Sequence, residues 1–349
     1  MKVALERVGA RLRGPYVSAA GSVQHRELLL LRLEDSAGHV GFGESAPLRD
    51  YDGVGIEECR AALEDCRGPL ADSDGDDREA LLAECAQRAV LPQATAAVDL
   101  ALWDLWGRRA RQPVWRLLGA SQPAPVEVNY TIAAPDRAGA AAAAAAARQM
   151  GYRSLKLKVG TGDDAGRLAA VRAVAGTEMA VRIDANGAWS VAEAQAALRA
   201  LSPAGVELCE EPVSGIEGTA ELAALTDVPL ALDESSILPG ALDRRVCRAV
   251  CLKLSRCGGI SGMLDAARRA RAVGYELYLA STLDGPLGIA AAVHAATVLA
   301  PDRACGLATL QLFDGHADPL APHSGRIAPP TDSGLGDGLI SWYGALAMT

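Results

Sequence analysis

The sequence predicts an α/β protein in which a parallel (β/α) barrel follows a smaller α+β module. Three observations carry this prediction. From residue 126 onward, eight β-prone runs alternate with alanine- and arginine-rich helical runs at a spacing of about 25 residues. The first 125 residues lack this alternation. Half of the 349 residues are hydrophobic and 22% are charged, which is the balance of a chain that buries a large core.

The barrel is predicted over residues 126–314. Its strands are expected at Val126–Thr131, Ser154–Val159, Ala180–Asp184, Val206–Glu210, Pro229–Asp233, Ala249–Leu254, Glu276–Ala280 and Ala304–Leu310. Helices are expected between them, among others at Arg137–Met150, Asp164–Ala175, Val191–Leu201 and Ile260–Val273. An open doubly wound sheet would show the same alternation and stays open as an alternative.

Residues 1–125 are predicted to form the α+β module. Leu28–Leu33 and Val40–Glu44 flank a turn at Asp35–Gly38, a pattern typical of a β-hairpin. Helices are expected to follow at Gly55–Cys66, Asp77–Ala89 and Gln93–Arg109. The tail, residues 315–349, is rich in proline and glycine, and we expect it to return to this module.

Composition excludes several classes of function. The net charge of −9 provides no basic surface for nucleic acid. Charges within Met1–Arg7 argue against a secretory signal, and the 12-residue apolar stretch Ile289–Ala300 is too short to span a membrane. We therefore expect a cytoplasmic protein. The eight cysteines form no Cys-x-x-Cys pair, which predicts reduced and mostly buried thiols, and the five histidines form no close pair.

Lysine is rare, and its positions are informative. Only four of the 34 basic residues are lysine, namely Lys2, Lys156, Lys158 and Lys253. Arginine stays protonated, whereas a buried lysine can lose its proton and act as a base. Side chains alternate along a strand, so Lys156 and Lys158 share one face while Leu157 takes the other. This pattern predicts that both lysines point into the barrel.

Acidic residues end three consecutive predicted strands, between the strands that carry lysine. These ends are Asp184, Glu210 with Glu211, and Asp233 with Glu234. Carboxylates at such close quarters repel one another, and a divalent cation with oxygen ligands relieves the repulsion. Asp184, Glu210 and Asp233 are the candidate Mg²⁺ ligands, while Glu211 and Glu234 stay open within their doublets. A salt-bridge network without metal is the competing interpretation.

These residues, taken in chain order, resemble the muconate-lactonizing subgroup of the enolase superfamily. The resemblance implies a (β/α)₇β TIM-type barrel over residues 126–314 under an N-terminal α+β capping domain of residues 1–125. It also implies the same three metal ligands, with Mn²⁺ able to replace Mg²⁺. The matching motifs span residues 28–312 and are Lys156-x-Lys158, Asp184-Ala185-Asn186, Glu210-Glu211-Pro212, Asp233-Glu234-Ser235, Lys253 with Gly258-Gly259, and Asp99–Leu105 with Leu117-Leu118-Gly119.

The resemblance further implies acid–base roles for the lysines. Lys158 and Lys253 would act on opposite faces of the substrate, with Lys156 assisting. Mg²⁺ on the substrate carboxylate would stabilise the enediolate formed when the α-proton leaves. Because the base must be neutral, we expect the pKa of Lys158 to be lowered from ~10.4 towards ~7–8 by the ion and by Lys156.

Local features favour one reaction of this subgroup, the dehydration that forms o-succinylbenzoate in menaquinone synthesis. Residues 281–288 and 306–310 resemble the strand-seven and strand-eight segments of that branch, although Asp284 stands where glutamate is expected. Strand eight lacks the Asp-x-Asp that dipeptide epimerases use to hold the substrate's amino group. Muconate-type cycloisomerisation and N-acylamino acid or dipeptide racemisation stay open.

The expected partner is a small-molecule carboxylate, and self-association is left open. Asn186, Ser281, Asp284 and Arg26 are the candidate substrate contacts, since they lie at strand ends or in the family's mobile capping loop. Two other classes compete with this interpretation. One is an aldolase that uses a lysine Schiff base without metal, and the other is a binding barrel without catalysis.

Overall fold

Residues 1–19 and 21–344 are described by a computed structural model. The chain begins with β1 (Lys2–Ser18), β2 (Gly21–Glu34) and β3 (Val40–Ser45), which form an antiparallel sheet in that order. The predicted hairpin is confirmed, because its two strands lie within β2 and β3. β1 was not predicted, because its five charged residues obscure the alternation of buried and exposed positions.

Six helices follow this sheet, and those expected from the sequence are confirmed to within one residue at each end. α5 packs directly on β3, and Gly41 and Gly43 permit this because a Cβ at either position would collide with the α5 backbone. A separate apolar core lies between the sheet and these helices. The helices are α1 (Arg49–Asp52), α2 (Ile56–Asp65), α3 (Arg67–Asp72), α4 (Arg78–Ala89), α5 (Pro92–Ala110) and α6 (Val114–Leu117).

Seven parallel strands form the main sheet, in the order β11 to β5. The predicted first strand is split, since its first residues form a short strand, β4, that pairs antiparallel with β12 near the C-terminus. The strands are β4 (Val126–Glu127), β5 (Tyr130–Ile132), β6 (Ser154–Lys158), β7 (Ala180–Asp184), β8 (Val206–Glu210), β9 (Leu230–Leu232), β10 (Ala249–Lys253), β11 (Glu276–Ala280) and β12 (Arg326–Ile327).

The eighth predicted strand, Ala304–Leu310, is reduced to two isolated parallel bridges. Cys305 bridges to Val128, beside β5, and Gly306 bridges to Ala280 in β11. The segment is short because its last residue already begins a 3₁₀ helix. It nevertheless joins the two edges of the seven-stranded sheet. The sheet is therefore curled on itself, which is consistent with the predicted barrel and not with an open doubly wound sheet.

Helices connect these parallel strands, and those predicted from the sequence are confirmed. Asp136, Asp163 and Ser190 each cap the helix that follows by accepting a backbone N–H bond. None of the helices within the described ranges has the length and hydropathy needed to cross a membrane. They are α7 (Arg137–Gln149), α8 (Asp164–Ala175), α9 (Val191–Leu201), α10 (Ile216–Ala223), α11 (Leu254–Cys257), α12 (Ile260–Ala272) and α13 (Pro286–Leu299), with 3₁₀ helices at Ser202–Ala204, Glu234–Ile237, Leu310–Leu312 and Leu339–Tyr343.

The tail contacts the N-terminal part of the chain through its backbone. The N–H of Leu335 donates to Asp104 Oδ1 at 2.8 Å, and the indole of Trp115 donates to the carbonyl of Pro330 at 3.0 Å. The buried ring of His294, on α13, also hydrogen-bonds the Leu335 carbonyl at 3.1 Å. Residues 345–349 of the predicted tail lie outside the described residues.

The packing of β3 on α5 predicts the effect of one substitution. Gly43→Ala should lower the free energy of unfolding by about 1–3 kcal/mol, because the new methyl group collides with the Ala97 carbonyl. Urea unfolding followed by circular dichroism measures this change. Gly9→Ala is the control, since an added Cβ meets nothing within 4 Å there. Equal stability of the two variants would contradict this packing.

Candidate active site

Buried charged side chains gather at the carboxyl ends of the parallel strands, under the N-terminal part of the chain. A cavity at this edge is lined from both sides. The N-terminal part contributes Tyr16, Ser18, Gly21, Val23, Leu48, Asp50 and Tyr51. The strand ends and their loops contribute Thr131, Lys156, Lys158, Asn186, Lys253, Ala280, Ser281, Thr282, Leu283, Gly306 and Thr309.

Three of the predicted acids form a row beside this cavity. Asp184 and Glu210 are the last residues of β7 and β8 and pair in register, while Asp233 directly follows β9. All three are at most 1% exposed. The parallel strands end at one edge of the sheet, and this edge brings together acids that are far apart in the sequence.

The three lysines neutralise the row along its length. Lys158 Nζ donates to Asp184 Oδ2 at 2.6 Å, and Lys253 Nζ donates to Asp233 Oδ2 at 2.7 Å. Lys156 Nζ lies 2.8 Å from Asp184 Oδ2 and 2.6 Å from Glu210 Oε1. Lys158 and Lys253 thus contact the two ends of the acid row, and Lys156 contacts its middle.

The second acid of each doublet, Glu211 or Glu234, forms hydrogen bonds with groups other than the three lysines. Glu211 accepts the backbone N–H of Asp233 at 2.7 Å and both the N–H and the hydroxyl of Ser235. Glu234 accepts an amide N–H from Asn186 at 2.8 Å. Neither makes an ion pair with the three lysines among the described contacts. These contacts favour Glu210 and Asp233 over Glu211 and Glu234 as members of the acid row.

Charge pairing sets the pKa of these groups. Burial raises the pKa of Asp184, but Lys156 and Lys158 outweigh it, and this pKa lies below its usual range. Burial by itself lowers the pKa of Lys158, but Asp184 outweighs burial and raises it. The pKa of Lys253 is raised in the same way by Asp233. The protein's own residues therefore do not lower the pKa of Lys158 as expected, because the attraction of Asp184 outweighs both burial and the repulsion of Lys156.

The donor set of the row suits a hard divalent cation. Ligand oxygens of Glu210 and Asp233 lie within 4.8 Å of each other. One ammonium group, Lys156 Nζ, contacts Asp184 and Glu210 together, so a single cation can bind neighbouring acids of the row. Carboxylate oxygens are the ligands that Mg²⁺ prefers. The residues present therefore fit the metal that the sequence motifs predict.

Two of the predicted substrate contacts, Asn186 and Ser281, line the cavity. Asn186 Oδ1 accepts a hydrogen bond from Lys158 Nζ at 2.9 Å. Ser281 Oγ shares a hydrogen bond of 2.9 Å with the hydroxyl of Thr309, which also lines the cavity. Neutral polar groups therefore line the cavity, and one of them, Asn186, contacts Lys158.

The other two predicted contacts, Arg26 and Asp284, do not line the cavity, and this corrects the sequence analysis. Asp284 is buried and accepts the hydroxyl of Thr282 at 2.6 Å. Arg26 is buried, and its guanidinium holds two loops in place. It donates to the carbonyl oxygens of Ala46, Pro47 and Leu283.

Tyr51, which reaches the site from α1, was not among the residues predicted from the sequence. Its hydroxyl donates to Asp233 Oδ1 at 2.9 Å and accepts hydrogen bonds from Lys253 Nζ at 2.6 Å and Arg256 at 3.2 Å. Its ring centroid lies 4.0 Å from Lys253 Nζ. No local motif marks this residue, because it meets the strand ends only when the N-terminal part docks on them.

Glu44, at the end of β3, joins three parts of the chain behind the site. Its carboxylate accepts the backbone N–H of Gly285 at 2.8 Å and the hydroxyl of Tyr343 in the tail. Burial, and then the nearby charge of Asp284, raises the pKa of Glu44 to about 8. A protonatable carboxyl thus lies where the sheet, the loop after β11 and the tail meet.

The fold and the site define an α/β protein whose candidate catalytic groups lie at the carboxyl ends of parallel strands, under an N-terminal capping domain. Residues 1–119 match the N-terminal domain of the mandelate racemase and muconate lactonizing enzyme family, and residues 139–339 match the enolase C-terminal domain-like family. The chain therefore belongs to the enolase superfamily, as its motifs predict.

Three relatives illustrate the similarity. The N-succinyl-L-Arg/Lys racemase of Bacillus cereus is 29% identical over 296 residues, which cover 82% of this chain and 80% of that protein. The o-succinylbenzoate synthase of Mycobacterium bovis is 40% identical over 215 residues, or 58% and 64% of the two chains. The substrate-liganded L-Ala-D/L-Glu epimerase of Bacillus subtilis superposes with a TM-score of 0.89 and 28% identity, covering 96% and 98%. Among these three, a racemase and an epimerase match most of the chain, whereas the synthase matches a shorter part.

The position of Glu44 predicts a pH dependence of stability. The folded chain holds the Glu44 proton up to about pH 8, whereas the unfolded chain releases it near 4.5. The stabilisation that the folded chain gains by holding this proton is fully present below pH 4.5 and is lost as pH rises to about 8. Between pH 5 and 8, the free energy of unfolding of Glu44→Gln should fall less steeply with pH than that of the wild type. The two slopes should differ by up to ~1.4 kcal/mol per pH unit.

Urea unfolding at several pH values measures these slopes. Glu178→Gln, at an exposed position, is the matched control and should follow the wild type. If the free energy of unfolding fell as steeply with pH in Glu44→Gln as in the wild type, this would contradict a protonated Glu44 in the folded chain.

Proposed function

We propose that this chain is a metal-dependent racemase or epimerase that moves the proton on the carbon next to the carboxylate of an N-acylated amino acid. The observation that carries the proposal is the placement of two lysines at the ends of the acid row. Lys158 contacts Asp184 at 2.6 Å, and Lys253 contacts Asp233 at 2.7 Å. A substrate held over the row would meet an amine on each face. Inversion of a carbon centre requires this, because a proton removed from one face must return to the other.

Asp184, Glu210 and Asp233 would hold Mg²⁺, with Mn²⁺ as a substitute. When bound, the ion supplies positive charge that offsets the acids, lowers the pKa of the adjacent lysines and stabilises the negative charge that develops on the substrate carboxylate. Lys158 removes the α-proton of one enantiomer, and Lys253 removes that of the other. Whichever lysine is protonated at the start returns a proton to the opposite face.

The charges around the cavity favour an acylated nitrogen over a free ammonium group on the substrate. The predicted eighth strand, Ala304–Leu310, contains no acidic residue. Asp50 is the one acid among the described lining residues, and it is exposed at the rim. The buried acids beside the cavity are already paired with the three lysines, so a free ammonium would lose its hydration there without a counter-charge of its own. An amide group can instead form hydrogen bonds with the hydroxyls of Ser281 and Thr309.

Dehydration to o-succinylbenzoate is the second candidate. The 40% identity to the Mycobacterium bovis synthase over 215 residues favours it. In this reaction Lys158 alone would remove the α-proton and then protonate the departing hydroxyl, while Lys253 would remain a cation. The two candidates differ in the number of lysines that act as bases.

A substrate comparison distinguishes the two candidates. With Mg²⁺, the purified chain should racemise N-succinyl-L-amino acids, followed by polarimetry, and EDTA should abolish this activity. The cyclohexadiene precursor of o-succinylbenzoate, followed by ultraviolet absorbance, should react with a kcat/KM at least about tenfold lower. Turnover of that precursor without racemisation of any N-succinylamino acid would overturn the racemase proposal and support dehydration.

The two-base arrangement predicts that two lysine variants differ in which enantiomer still exchanges its α-proton. Lys158→Arg and Lys253→Arg should each lower racemisation by about 10²–10⁴-fold, because arginine keeps the charge but does not act as a base. Each variant should still exchange the α-proton of one enantiomer with D₂O, and the enantiomer should differ between them.

Proton NMR of each enantiomer in D₂O measures this exchange. Lys2→Arg, at an exposed residue paired with Glu34, is the matched control and should retain full activity. Loss of exchange for the same enantiomer in both variants would contradict two bases on opposite faces.

A further inference from the structure

Cys251 places a thiol beside two acids of the proposed metal centre. It lies on β10 two residues before Lys253, so the alternation of side chains turns both residues to the inside of the curled sheet. One oxygen each of Glu210 and Asp233 and the sulfur of Cys251 all lie within 4.8 Å of one another. Cys251 is fully buried, and both acids are at most 1% exposed. The thiol therefore shares the water-excluded interior with these carboxylates.

The separations suit a small divalent ion held by two oxygens and one sulfur. Around a tetrahedral Zn²⁺, with bonds of ~2.0–2.3 Å, neighbouring ligand atoms lie about 3.3–3.8 Å apart. Movements of about one ångström would bring the three ligand atoms to that separation.

Neighbouring hydroxyl groups already orient both carboxylates. Tyr278, which pairs in register with Cys251, donates its hydroxyl to Glu210 Oε2 at 2.8 Å. Tyr51 donates to Asp233 Oδ1 at 2.9 Å. Hydrogen bonds of this kind fix the direction of metal ligands and support metal affinity. Both acids are thus held by hydrogen bonds while one oxygen of each lies within 4.8 Å of the Cys251 sulfur.

We propose that Cys251, Glu210 and Asp233 form a binding site for thiophilic divalent ions, such as Zn²⁺ and Cd²⁺, that overlaps the magnesium centre. Sulfur ligands add affinity for these ions and little for Mg²⁺, which prefers oxygen. When the soft ion binds, the thiol proton leaves to solvent and the two acids are no longer free to bind Mg²⁺. Zn²⁺ and Cd²⁺ therefore inhibit the enzyme, because they keep Mg²⁺ from binding. The inference rests on the metal centre of the proposed function and not on which reaction it catalyses.

Cadmium binding to the full chain tests this inference. Titration with Cd²⁺ should produce an ultraviolet thiolate-to-cadmium charge-transfer band, and excess Mg²⁺ should reverse it. Cys251→Ser should remove this Mg²⁺-sensitive band and weaken Cd²⁺ binding by about tenfold or more, while calorimetry shows unchanged Mg²⁺ affinity. An unchanged Mg²⁺-sensitive band in Cys251→Ser would overturn the proposal. Cys251→Ala provides the same comparison if the serine variant fails to fold.

Two further variants sharpen the test. Cys209→Ser is the matched control, because Cys209 is equally buried and precedes Glu210, but the alternation along β8 turns its side chain to the other face. It should keep the band, and losing the band would overturn the assignment to Cys251. Asp184→Asn should weaken Mg²⁺ binding and keep the Cd²⁺ band. Undiminished Mg²⁺ affinity in Asp184→Asn would instead remove Asp184 from the proposed magnesium ligands, and it would leave the site formed by Cys251, Glu210 and Asp233 unaffected.

Discussion

Three carboxylates and three ammonium groups share the mouth of the curled sheet, and their mutual neutralisation is the constraint on which the rest of the structure depends. Asp184, Glu210 and Asp233 are at most 1% exposed, and the three lysines are 6–8% exposed. A charge buried this deeply is costly unless it is paired, and removal of one partner leaves the other uncompensated. This constraint explains why lysine, rare in the chain, is found here. The compact ammonium of Lys156 can contact two acids at once, and an ammonium can lose its proton when its surroundings change.

The N-terminal domain and the tail complete this charged site from outside the sheet. Tyr51 brings a hydroxyl and a ring to Lys253, whereas Arg26 fixes the loops that surround the cavity. Glu44 and Tyr343 join the N-terminal antiparallel sheet, the loop after β11 and the tail by hydrogen bonds. The site therefore depends on contacts between segments that are far apart in the sequence. This dependence gives the docking of the N-terminal domain a direct effect on the environment of one of the two lysines.

The sequence carried most of the information about the parallel strands and little about what docks on them. Asp184 and Glu210 could be placed together because the ends of neighbouring parallel strands meet at one edge, whatever the loops do. The same reasoning could not find Tyr51 or exclude Arg26, because the direction of a side chain from the N-terminal domain depends on how that domain packs. Alternation could not choose within the acid doublets either, since a shift of one residue in a strand exchanges its faces. The eighth strand was overestimated because its apolar residues are typical of a strand, while its backbone forms two bridges and then a 3₁₀ helix.

The central claim is that these acids hold one divalent ion between two lysines. Anomalous diffraction from a crystal grown with Mn²⁺, recorded at the manganese absorption edge, tests it most directly. We expect one strong peak at coordination distance from carboxylate oxygens of Asp184, Glu210 and Asp233, with the amines of Lys158 and Lys253 on opposite sides of the adjoining cavity. A peak bound to other residues, or no peak at these acids while their salt bridges to the lysines persist, would contradict it.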